Sequence, residues 1–70
     1  MNKKELRAVM ARYGDTGESL AKALGICASS LSEKMNERRS FTQVEIGIII
    51  TRYSLTPEDV IRIFFASPVS

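Results

Sequence analysis

The side chains able to engage a ligand gather between residues 28 and 40. Ser29 and Ser32 offer hydroxyls, Glu33 a carboxylate and Ala28 a methyl group; Lys34, Arg38, Arg39 and Ser40 add three cations and a further hydroxyl. Hydroxyls donate or accept, and cations attract anions, so this is a chemistry of recognition. Groups that break bonds are scarce. The chain has no histidine and a single cysteine, Cys27. Ser-His-Asp and Cys-His catalysis need a histidine base, and His/Cys metal sites need several ligands. The expectation is a protein that is not an enzyme and uses no cofactor or metal. One cysteine closes no internal disulfide, and Cys27 reads as a small turn residue rather than a redox switch.

Five helical segments can position these residues. The first is predicted over Lys3–Arg12, with Asn2 and Glu5 as a capping box and Leu6, Val9, Met10 and Tyr13 as one buried face. Gly14 and Asp15 break it. The second runs over Gly17–Leu24 with Thr16 as N-cap, and Gly25 follows where a left-handed residue is expected. The third spans 28–36, anchored by Leu31 and Met35. The fourth spans Gln43–Tyr53, opened by a capping box of Thr42 and Glu45, with Phe41 placed to staple onto Ile46. Its β-branched residues and Gly47 make a strand the alternative, but the 46-49-50-53 spacing favours a helix. The fifth spans 57–65, with Thr56 as cap, Pro57 at the first position, and Glu58 and Asp59 facing the positive end of the dipole. Pro68 closes the chain.

Length and charge bound the reading. Seventy residues make one domain, and one this small has little room for a buried catalytic pocket; no small-molecule ligand is expected. Ten Lys or Arg against eight Asp or Glu give a net charge of +2, a mild bias toward anionic partners. The apolar runs, such as residues 48–50, are far short of a membrane span, and the first residues lack a signal peptide's apolar stretch. The expected compartment is the cytoplasm, with no membrane partner.

The spacing from Thr16 to Met35 fits a helix-turn-helix. Ala21 is small where two helices cross closely, Gly25 lets the backbone turn left-handed, Ile26 points inward, and Leu31 anchors the next helix five residues on. Leu20 and Leu24 complete the seam. The plainer reading is an ordinary pair of packed helices. The small polar surface of the 28–36 segment favours the sharper one, because such a face can enter a DNA major groove about 12 Å wide.

These residues resemble a known family. Leu-Ala-Lys-Ala-Leu-Gly-Ile at 20–26, Ser-Leu-Ser-Glu-Lys-Met-Asn at 30–36, Arg-Ser-Phe-Thr-Gln-Val-Glu-Ile at 39–46, Leu-Thr-Pro-Glu-Asp at 55–59 and Ile-Phe-Phe at 63–65 are similar to the Cro/repressor (XRE-type) helix-turn-helix regulators of phages and prophages. The resemblance covers nearly the whole chain. It implies an all-α lambda-repressor-like domain over 1–70, a compact five-helix bundle with its helix-turn-helix at about 17–36. It also implies a dimeric transcriptional regulator of double-stranded DNA in a bacterial cytoplasm, nucleoid-associated when bound. With no second domain expected, a short Cro-like repressor fits better than an inducible one. The chain departs from the family at two places. Gly17 stands where Gln often contacts phosphate, and Glu37 stands where the loop often has Gly.

From these offsets, Ala28, Ser29, Ser32 and Glu33 are expected at base edges. Glu33 suits cytosine N4 and Ala28 a thymine methyl, while the serines discriminate weakly. The alternative for Glu33 is a solvated helix charge. Lys34, Arg38, Arg39 and Ser40 are expected at phosphates, with the backbone N–H of Gly17. Val44, Ile48, Phe65 and Val69, with Ile63, exceed what five short helices can bury, and the first four are the candidate homodimer surface. The competing function is a protein-binding module, an antirepressor or adaptor, that keeps the fold without DNA binding.

Overall fold

The computed structural model describes residues 1–65 and is all-helical over them. Five helices appear: α1 (Lys3–Arg12), α2 (Gly17–Leu24), α3 (Ala28–Met35), α4 (Gln43–Tyr53) and α5 (Pro57–Val60), the last running on into a π-helical turn at Ile61–Phe65. The radius of gyration is 11.3 Å, against about 11 Å expected for a folded chain of this length. Pro68 and Val69 lie outside the described residues.

Every helix but α3 starts where a side chain accepts an orphan amide. The Thr16 hydroxyl accepts from the Ser19 N–H at 3.1 Å, and Thr42 and Thr56 cap α4 and α5 in full capping boxes with Glu45 and Asp59. At α1 only half of the predicted box forms. Asn2 Oδ1 accepts from the Glu5 N–H, but the Asn2 N–H is already taken by the Ile63 carbonyl at 2.7 Å. That bond ties the start of α1 to the π-helical turn.

The first four helices also stop alike. After each, one residue turns left-handed: Gly14 (φ 65°), Gly25 (φ 73°), Glu37 (φ 63°) and Ser54 (φ 50°). The next amide then reaches back to the carbonyl five residues earlier, in the pairs Asp15 to Met10, Ile26 to Ala21, Arg38 to Glu33 and Leu55 to Ile50, at 2.8–3.0 Å. This is the Schellman arrangement, which satisfies the last helical carbonyls. Two of the four positions lack the glycine that makes the turn cheap.

The core joins Leu6, Val9 and Met10 of α1, Leu20, Ala21 and Leu24 of α2, Leu31 and Met35 of α3, Ile49 and Tyr53 of α4, and Ile63 of the π-helical turn. The helix-spaced face predicted for α4 is the one that packs, and burial overrides its weak helix propensity. Three assignments need correction. Tyr13 is the C-cap of α1 and is 53% exposed; its hydroxyl instead donates to the Tyr53 carbonyl at 2.8 Å. Ile48 is half-buried against the core, so only part of it is open at the candidate dimer face. Ile63 is fully enclosed, because the π-helical turn folds back on α1.

A polar clamp closes the α1–α2 loop onto α4. Asp15 accepts two bonds from the Arg52 guanidinium, at 2.7 and 3.0 Å, and one from the Tyr53 hydroxyl at 2.5 Å. The Arg52 and Tyr53 bonds hold the Asp15 carboxyl down at about 2. Burial, and the Asp15 carboxylate beside it, push the Tyr53 phenol up to about 12.

Candidate nucleic-acid interface

The turn between α2 and α3 is set by Gly25. Its left-handed backbone sends Ile26 inward, where it packs on the core, and brings the chain to Cys27, the N-cap of α3. Cys27 has the extended backbone of a cap but makes no side-chain capping bond. Its thiol lies 3.3 Å from the Ser30 hydroxyl, and that contact lowers its pKa below the ordinary thiol value. Leu31 and Met35 seat α3 on the core, which leaves Ala28, Ser29, Ser32 and Glu33 exposed together on its outer surface.

The four fall on two stripes. Ala28 and Ser32, one turn apart, line a groove of about 600 Å³ with Arg7 of α1, Thr16, Gly17 and Glu18 at the start of α2, and Asn36. Met10, Leu31 and Met35 line its apolar part. Ser29 and Glu33, also one turn apart, are outside this lining, on the outer ridge. Asn36 bridges the groove: its amide donates to Ser32 Oγ at 3.4 Å and its carbonyl accepts from Lys3 at 3.0 Å. Ser32 therefore keeps its own hydroxyl hydrogen free to donate.

The cations divide differently from expectation. Lys34 is 7% exposed, and its ammonium donates to both carboxylate oxygens of Glu45 at 2.5 and 2.7 Å. It is consumed inside the protein and is withdrawn as a phosphate contact. The reason is helical register: Lys34 lies three residues from Leu31 and next to Met35, on the inward side of α3. Burial of Glu45 alone would raise its carboxyl. The Lys34 bonds and the Thr42 amide outweigh that and leave it lowered.

Arg38, Arg39 and Ser40 are exposed in the loop after α3. Arg39 sits 3.6 Å from Glu33, so each partly screens the other, while Arg38 has no ion pair among the described residues. Gly17 is exposed at the first position of α2, and a Cβ built there meets nothing within 4 Å. Val44 (73% exposed) and Phe65 (66%) remain at the surface with Ile61, and Val69 is outside the described residues.

Arg7 is the residue that sequence reasoning passed over. It lies off the apolar face of α1, yet it lines the same groove as Gly17, Ala28 and Ser32. Nothing in the 28–40 stretch signals a contribution from a helix twenty residues earlier. Among the described residues no helix is long and apolar enough to cross a membrane. The chain matches no family model, no curated protein and no solved structure.

Proposed function

We propose that this protein is a helix-turn-helix DNA-binding regulator, with α2 and α3 as its motif and α3 lying in the major groove of double-stranded DNA. One observation carries the reading. Two short helices joined through a left-handed Gly25 leave the small polar surface of α3 exposed, and unburied arginines flank it. A surface of Ala28, Ser29, Ser32 and Glu33 is narrow enough to reach base edges and has the hydrogen-bonding groups to read them. Arg38, Arg39 and Ser40 on one side, and Arg7 with the Gly17 amide on the other, bracket it as phosphate contacts. Without a bidentate Arg, Asn or Gln at the leading positions, discrimination per half-site is modest. Two copies, reading half-sites about 34–36 Å apart, would supply the rest. Val44, Ile61 and Phe65 are the apolar residues open to such pairing. The protein then acts as a Cro-like phage or prophage regulator, by occupying an operator as a repressor.

The second reading, a protein-binding adaptor on the same scaffold, draws on Glu18 and Glu33, two carboxylates beside the surface that would meet phosphates. Selection of bound sites from a random duplex library separates the two. A DNA regulator enriches a two-fold symmetric site, and its affinity for random duplex falls steeply with salt. No enrichment, with no retention of duplex at 50 mM salt (an ionic strength at which about six phosphate contacts hold DNA firmly), would sink the DNA reading.

A further inference from the structure

Lys34 and Glu45 stand on either side of the loop that carries Arg38, Arg39 and Ser40. Both are 7% exposed, and both Glu45 oxygens accept from the single ammonium. Glu45 Oε1 also accepts the Thr42 amide at 2.8 Å, as its part of the α4 capping box. The ion pair and the helix cap therefore share one oxygen. On the other side, the left-handed Glu37 closes α3, its amide donating to the Lys34 carbonyl at 3.1 Å and the Arg38 amide to Glu33 at 2.9 Å. The loop is pinned at both ends and clipped across its base.

A buried ion pair is a poor way to gain stability. Removing two charges from water costs about what their attraction returns, and apolar pairs of similar volume are often as stable or more so. An apolar pair has no direction, however. Here the carboxylate is aimed by the Thr42 amide, and the ammonium must meet both of its oxygens. That fixes the last turn of α3 on the first turn of α4 in one pose. Charge contributes registry where apolar contact would allow slip.

We infer that the Lys34–Glu45 pair is a positioning clip for the α3–α4 loop, holding Arg38 and Arg39 in the pose that meets the phosphate backbone. The inference rests on the DNA-binding reading for what the loop contacts, and on geometry alone for the clip.

The test is the double variant Lys34→Met with Glu45→Gln. It is uncharged and close in volume, and it keeps an oxygen at position 45 for the Thr42 amide. Hydrogen exchange without DNA is measured at the Glu37 and Arg38 amides and compared with Leu20 and Leu31 in the core. The clip predicts exchange at Glu37 and Arg38 about tenfold faster with the core amides unchanged, the mark of a local opening. It also predicts affinity for a random duplex about tenfold weaker, at a melting temperature within a few degrees of the wild type. Wild-type exchange at Glu37 and Arg38 overturns the clip. Faster exchange with unaltered affinity overturns its role in binding. If the double variant does not fold, Glu45→Gln alone decides by the same exchange measurement. A wild-type protein that binds no duplex refutes the DNA reading, and the exchange result still decides the clip.

Discussion

At the scale of single residues, Glu37 shows how a local rule can be broken and still hold. It occupies a left-handed conformation that costs a residue with a Cβ about 1 kcal/mol or more. Its carboxylate reaches the Met1 ammonium at 2.9 Å, but at 63% side-chain exposure such a pair contributes little. The backbone term should therefore win. Glu37→Gly is expected to raise stability by about 0.5–1 kcal/mol, a gain of several degrees in Tm for a domain of this size. A thermal melt checks it, and a lower Tm would mean that the Met1 contact outweighs the strain. Lys34 makes the complementary point. In the sequence it is one cation in a polar stretch, but its burial beside Met35 changes it from a ligand-facing charge into a structural one.

At the scale of helices and the loops between them, the starts were legible and the stops only partly so. Thr16, Thr42 and Thr56 announce α2, α4 and α5, since a hydroxyl followed three residues on by Ser, Glu or Asp signals a capped start. Gly14 and Gly25 announce two stops. Glu37 and Ser54 make the same turn as those glycines, and their residue types give no sign of it. The clamp onto α4 was equally hidden. Asp15 reads as a helix breaker, and its partners Arg52 and Tyr53 are nearly forty residues away, a separation that no periodicity reports. The clamp carries a pH prediction. The Asp15 carboxyl sits at about 2 when folded and near 3.8 when unfolded. Its stabilisation is therefore complete above about pH 5 and disappears as pH falls through the folded value. Linkage puts this at about 1–2 kcal/mol, after allowance for solvent screening at the half-exposed Arg52. Asp15→Asn should lower stability by that amount at pH 7 and flatten the loss between about pH 5 and pH 1, an interval of about one unit beyond each pKa. Chemical denaturation across that range measures it. An unchanged acid limb in the variant would show that other carboxylates govern acid unfolding.

At the scale of the whole molecule, a net charge of +2 says little, because the charges that matter are sorted by pairing. Lys34 is neutralised internally and Arg52 and Arg62 are held by Asp15 and Asp59, whereas Arg38 faces solvent unpaired and Arg39 is only loosely held by Glu33. The DNA reading turns this sorting into a number. Each phosphate neutralised on duplex DNA contributes about −0.9 to the slope of log affinity against log salt. Arg38→Ala should therefore flatten the slope by about 1 for each domain on the duplex. Arg39→Ala should change it less, because that guanidinium is already shared with Glu33, which its removal would leave unscreened. Lys34→Met should leave the slope unaltered even where it weakens binding, because that cation reaches no phosphate. Anisotropy of a labelled duplex across a salt series reads all three. Assembly enters the same measurement. If two copies occupy one site, the Arg38→Ala change doubles to about 2, so the slope reports dimeric binding without a separate mass determination. A slope that ignores Arg38 and Arg39 but falls with Lys34 would invert the assignment, requiring the buried pair to open on the duplex.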